Sequence, residues 1–167
     1  MPKSNSKSHV DTLFDSPLWG RARLGAKSLV PELIEMAWTN VPNRPRGFVP
    51  EVSVTLTDDA SIRILNREHR GKDKPTNVLS FPDWESLGDI PAGIGEAPVG
   101  DIIVAFETVK REALEQGKPF KAHFSHMIVH GFLHLLGYDH IEDDMAEEME
   151  ALEIKILKKA GISNPYI

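Results

Sequence analysis

Three histidines stand within the segment HGFLHLLGYDH, residues 130–140, as His130, His134 and His140. On a helix, residues i and i+4 lie about 5–6 Å apart at Cβ. The imidazoles of His130 and His134 can therefore close on one ion. Gly137 falls where a left-handed residue ends a helix, and the chain can then double back to bring His140 as a third nitrogen. Three neutral nitrogens and an open position for water make the usual plan of a catalytic zinc site. A structural site would be closed by a fourth protein ligand, commonly a thiolate, and the chain has no cysteine. The spacing predicts one Zn2+ per chain on His130, His134 and His140, although nickel, cobalt or copper would also suit three imidazoles.

His123 and His126 extend the same seam toward the start of the helix. His126 stands four residues before His130, so a 126/130 pair is a rival ligand choice. Only the 130/134 pair is followed by a turn and a third histidine, which leaves His126 behind the ligands, packing or orienting them. The spacing also matches the metzincin protease pattern H-E-x-x-H-x-x-G-x-x-H at each metal position and at the glycine. Where the proteases carry their general-base glutamate, this chain has Gly131. The cage is protease-like and its base is missing, which turns the reading away from peptide hydrolysis. Asp139 and Asp101 could each orient a ligand imidazole through a hydrogen bond; a turn or cap role is the preferred reading of both.

A second chemical feature is RGKDKPTNVLSFP, residues 70–82. Arg70, Lys72 and Lys74 are three cations against the one charge of Asp73, a local net of +2. Arginine can grip a phosphate bidentately. Taken alone, such a run reads as a solvated loop, and the acidic stretch EDDMAEEMEALE, 142–153, reads as a solvated helix face.

These residues need elements to hold them. Alternation of Val52, Val54 and Leu56 predicts a strand over 51–57, and Asp58 or Asp59 can cap a helix running to about His69 and ending at Gly71. NVLSF, 77–81, reads as a short strand and VGDIIVAF, 99–106, as a longer one. Between them, 83–98 is a loop rich in Gly and Pro, long enough for a lid. LVPELIEMAWT, 29–39, has helical spacing, and helices are expected over 108–116 and 142–159. The segment from Pro119 to Leu136 is apolar almost all round, as in a buried helix, so the zinc site would sit on a buried central helix and the turn after it.

The 167 residues, 41% hydrophobic, suit one domain with a real core. No apolar run approaches the ~18–20 residues of a membrane span. The N-terminus lacks the apolar core of a secretory signal, and the absence of cysteine fits a cytoplasmic protein. A net charge of −6 counts against a protein that coats DNA. Residues 1–28 are expected to be frayed, with an edge strand around Val10–Trp19; residues 29–167 are expected to form one catalytic domain.

Taken together, LNREHRGKDKPTNVLSFP, the GDI at Gly100–Ile102, EQGKP at 115–119 and HMIVHGFLHLLGYDHIEDDMAEEMEALE resemble the YbeY family of bacterial metal-dependent endoribonucleases, from about Glu51 to Ile167. The glycine in the glutamate place is that family's own pattern. The resemblance implies an α/β (α+β) fold with a short mixed sheet flanked by helices. It implies His130, His134 and His140 as zinc ligands and Arg70 as the functional arginine; from the local charge, Lys72 and Lys74 are expected beside substrate. The implied role is processing of single-stranded ribosomal RNA, notably the 3′ end of the 16S rRNA, and ribosome quality control. Small-subunit ribosomal proteins and assembly GTPases would be partners, with no membrane and no DNA. Two alternatives stay open: a zinc peptidase drawing its base from Asp139 or the 83–98 loop, and a ribosome-assembly binding protein with a structural metal. Whether hydroxide or the ribose 2′-OH is the nucleophile is also open.

Overall fold

The computed structural model describes residues 7–45 and 47–167. Four strands form one mixed sheet in the order β1-β2-β4-β3. They are β1 (His9–Phe14), β2 (Phe48–Thr57), β3 (Val78–Pro82) and β4 (Gly95–Ala105). β1, β2 and β4 run parallel, and β3 is antiparallel to β4. The helices are α1 (Leu18–Arg21), α2 (Ala26–Asn40), α3 (Asp59–Arg70), α4 (Phe106–Glu115), α5 (Phe120–Leu135) and α6 (Asp143–Lys159). This is the α+β domain with a short mixed sheet that the family resemblance implied.

α5 lies at the centre. It packs on β3 and β4 and also touches α2, α4 and α6. Being surrounded explains a sequence apolar on every side: Phe124, Ile128, Val129, Phe132 and Leu133 have no exposed surface. Burying each such side chain fully contributes roughly 1.5–3 kcal/mol, so this helix is held as a rigid axis for the histidines it carries. The opposite face of β3 and β4 is covered by α3, through Ile62 against Leu79 and Ala105.

β2 starts at Phe48, three residues before the alternating pattern. β1 pairs with β2 only from Glu51 onward, so Pro50, which has no N–H to donate, sits where β2 has one neighbour instead of two. β4 likewise begins at Gly95, inside the segment expected to be loop, because Gly95–Pro98 pairs with Phe48–Glu51. The register shifts between Glu51 and Val52, where β4 carries the extra residue Val99. Gly100 follows at φ +144°, and a Cβ there would stand 2.3 Å from the Phe81 carbonyl oxygen.

Residues 1–6 of the N-terminal segment lie outside the described residues. β1 joins the sheet edge, and Trp19 is 4% exposed, packed against Phe106, Phe120 and Phe124. Its indole N–H donates to the Thr57 carbonyl at 2.8 Å. α2 starts at Ala26, so no break in structure falls between residues 28 and 29. Among the described residues no helix is long and apolar enough to cross a membrane.

Candidate metal centre and cleft

α5 presents His126, His130 and His134 along one side, and the turn after it returns His140. The turn is built by Gly137 at φ +98°, whose N–H donates to His134, and by the Tyr138 N–H donating to Leu133 at 3.1 Å. Asp139 Oδ1 then accepts the His140 backbone N–H at 2.6 Å, so this carboxylate holds the turn that carries the third histidine. Ring centroids are 4.5 Å apart for His130 and His134, 5.2 Å for His134 and His140, and 5.6 Å for His130 and His140. Nε2 of His134 lies 3.0 Å from Nε2 of His130. One nitrogen from each of the three lies within 4.8 Å of the others, the compactness one ion requires.

The donor set fits a divalent metal. One nitrogen from each of three imidazoles converges on one point, the donor arrangement an ion requires. In the metal-free protein the 3.0 Å contact between Nε2 of His130 and Nε2 of His134 requires one of the two to carry the proton that an ion would displace. Burial, and then the neighbouring His130 and His140, push the His134 imidazole down to about 4. It is therefore neutral near pH 7 and ready to donate its lone pair.

A cleft of about 730 Å³ opens over these histidines, lined by Arg70, Trp84, Glu85, Tyr138 and Asp139 among others. Arg70 is the last residue of α3, which Asp58 caps by accepting the Ser61 N–H at 2.9 Å and which Gly71, at φ +69°, ends. The following loop is tied back onto α3: Arg63 grips Asp73 at 2.9 Å, and the Asn66 side chain donates to the Lys74 carbonyl at 2.8 Å. These ties set Arg70 at the cleft wall and leave Lys72 and Lys74 exposed and outside its lining. Lys72 and Lys74 thus do not share the cleft with Arg70.

Asp101 is not near the histidines. It lies on the far side of the sheet with Glu51, Asp83 and His9 in a separate cavity, and burial, with the charge of Asp83, raises its carboxyl above the usual range. Asp101 therefore orients no ligand imidazole, and the expectation for it is corrected: a strand residue alternates faces, and this position points away from α5 while its neighbour Ile102 points toward it. Gly131 also gains a reason. A Cβ there would meet Ile102 Cγ2 at 3.0 Å and Ser80 Oγ and Val78 Cγ2 at 3.2 Å, and the Ser80 hydroxyl donates to the Gly131 carbonyl at 2.9 Å. The position is pressed against the sheet, so any side chain there, a glutamate included, would have to push these neighbours aside.

The sequence reading missed Glu153. Composition places it in a solvated acidic face, yet it has no exposed surface. Its carboxylate accepts from His126 Nε2 and lies 3.4 Å from His130 Nδ1. Burial alone would raise this carboxyl, but the bonds to His126 and His130 win and hold it at about 2. The signal was present: Glu153 falls on the stripe of Met149, Leu152, Ile156 and Leu157, the buried side of α6. His126 is buried behind the three-histidine cluster, and His126, His130 and Glu153 make a second group of possible ligands. His123 is drawn elsewhere, to Glu112 at 2.9 Å.

The family model described as Endoribonuclease YbeY matches residues 23–161. The chain belongs to the YbeY family. The Endoribonuclease YbeY of Sinorhizobium fredii is 58% identical over 118 residues, covering 70% of this chain and 66% of that protein. The namesake in Bradyrhizobium diazoefficiens is 60% identical over 116 residues, covering 70% of this chain and 63% of that protein. The matched part thus spans just under two thirds of the length of these curated relatives. A solution structure of a Thermotoga maritima protein superposes with a TM-score of 0.55 at 25% identity, over 91% of each chain.

Proposed function

We propose that this protein is a zinc-dependent endoribonuclease that cuts single-stranded RNA. The observation that carries the reading is the shared cleft: Arg70 and the three histidines line one cavity. His130, His134 and His140 would hold the ion. A zinc ion so held supplies a water whose pKa is lowered to about 7 and a Lewis acid for a phosphoryl oxygen. The guanidinium of Arg70 offers donors in a fixed fork to oxygens that gain charge as a phosphodiester is attacked. Asp139 keeps His140 in place by fixing its turn. Family membership supports the rest of the reading. The substrate is ribosomal RNA, the step is maturation of the 3′ end of the 16S rRNA together with ribosome quality control, and the setting is the cytoplasm. Small-subunit ribosomal proteins and assembly GTPases are the partners, and residues 29–167 form the catalytic domain, with β1 completing the sheet.

A peptidase would need a base beside the ion. Position 131 carries none and is pressed against the sheet, and Asp139 Oδ1 is engaged by its own turn. Glu85 of the 83–98 loop is the other carboxylate lining the cleft, so the preference for RNA rests on Arg70 sharing the cavity with the histidines. The test is a pair of assays on the zinc-loaded protein, one with a single-stranded RNA and one with an unfolded protein. Cleavage of RNA alone, abolished by a chelator and restored by zinc, is expected. Cleavage of the protein substrate alone would overturn the proposal, and RNA cleavage indifferent to chelation would overturn its metal.

A further inference from the structure

Beyond the cleft, the segment after α6 reaches the back of the metal centre. Gly161, at φ +78°, ends α6, and the Ile162 N–H donates to Leu157 at 2.9 Å. Ile162 packs on the core. The Lys118 ammonium donates to the Pro165 carbonyl, and Asn164 Oδ1 accepts the Tyr166 N–H at 2.8 Å. These ties fold the segment back along α5 and α6 and deliver the Tyr166 hydroxyl to Glu153. It donates at 3.1 Å to either carboxylate oxygen and lies 3.3 Å from His126 Nε2.

The result is a buried carboxylate with donors on three sides: His126, His130 and Tyr166. Each does something different. The charge of Glu153 facing Nδ1 of His130 requires the proton on that nitrogen, and so leaves the lone pair on Nε2, the nitrogen that faces His134. An imidazole turned the other way would point its lone pair at a carboxylate, which is repulsive. A carboxylate free to rotate would lose this control. His126 and the Tyr166 hydroxyl hold both oxygens, so the carboxylate plane is fixed. An ionised carboxylate cut off from water needs such donors to remain charged at all.

We propose that Glu153 and Tyr166 are positioning residues of the metal centre: Glu153 fixes His130 in its Nδ1–H form with Nε2 directed at the ion, and Tyr166 clamps Glu153 from behind. The chain beyond α6 is thereby part of the metal site, although it touches neither the ion position nor the cleft. The inference rests on the three-histidine reading of the metal.

The experiment measures zinc affinity by chelator competition for the native protein, Glu153→Gln, Tyr166→Phe, His126→Ala and His140→Ala. It is paired with nitrogen-15 spectra of the histidine rings in the zinc-loaded forms. In the native protein the His130 ring should show a slowly exchanging Nδ1–H. Glu153→Gln should weaken zinc about 10- to 100-fold, the usual effect of losing the group behind a ligand histidine, and should shift or broaden that signal. Tyr166→Phe, which keeps the ring and deletes one hydroxyl, should weaken zinc several-fold and speed the exchange of the same proton. A merely structural role would lower the melting temperature of the metal-free variants and leave affinity and the Nδ1–H signal as in the native protein; that outcome overturns the proposal. If His126→Ala abolishes binding while His140→Ala leaves it intact, the ion belongs between His126, His130 and Glu153, which also overturns it. Failure of the native protein to bind zinc would instead sink the three-histidine reading itself.

Discussion

Glu153 is a charge with no exposed surface, kept ionised by its donors, and this makes the metal-free protein sensitive to acid. Its carboxyl is held at about 2 in the folded chain, against the usual 4.5. A depressed carboxyl stabilises fully above its unfolded value and loses that contribution as pH falls through the folded one. His134 works in the same direction by another route. Its folded value is about 4 against 6.5, so below pH 6.5 the unfolded chain takes up a proton that the folded chain refuses. Urea unfolding of chelator-treated protein should therefore show stability falling from pH 6.5 toward 4 and again from 4.5 toward 2. Glu153→Gln should shrink the lower of the two windows, to which the depressed Glu112 carboxyl also contributes, and retain the upper. A stability that is flat between pH 6.5 and 2 would contradict both assignments. The three outward-lying ligand candidates were legible from spacing, because helix geometry and one turn glycine place them. Glu153 was not, because its charge was read by composition and not by its place in the period of α6.

The same distinction between local pattern and partner governs the elements. α5 was legible from its own sequence, since a helix apolar on every side has to be enclosed. The full lengths of β2 and β4 were not. Phe48–Pro50 and Gly95–Pro98 carry proline and glycine and have no strand pattern of their own; they are extended because they pair with each other. The contact between α5 and the sheet makes Gly131 a packing residue, and two substitutions there measure it. Gly131→Ala gains about 1 kcal/mol of helix propensity and incurs overpacking of about 2 kcal/mol, so the variant should be about 1 kcal/mol less stable. Gly131→Glu, which restores the protease pattern, should cost at least ~3 kcal/mol by burying an unpaired charge and should confer no peptidase activity. Native-like melting of Gly131→Glu would show that the position is not enclosed as described.

At the scale of the whole molecule, an acidic protein with a net charge of −6 is proposed to act on a polyanion. The fold meets this by confining the attraction. Glu51, Asp83 and Asp101 lie across the sheet from the cleft and Asp73 is neutralised by Arg63, while Arg70 lines the cleft with the histidines and with two carboxylates, Glu85 and Asp139. Long-range attraction is weak in such an arrangement, so the work of binding a scissile phosphate falls on few residues, Arg70 first. The decisive measurement is single-turnover cleavage of a single-stranded RNA by native protein, Arg70→Ala and Arg70→Lys, each with its zinc content determined. All three should hold one zinc and melt alike, since Arg70 is exposed and serves no core. Arg70→Ala should cleave on the order of 10²–10³ times more slowly, the typical effect of losing one donor to developing charge. Arg70→Lys should recover part of the rate, because a point charge replaces the fork incompletely. If zinc-loaded Arg70→Ala cleaves as fast as the native protein, the cleft is not the site of phosphoryl transfer as described, wherever the metal is bound.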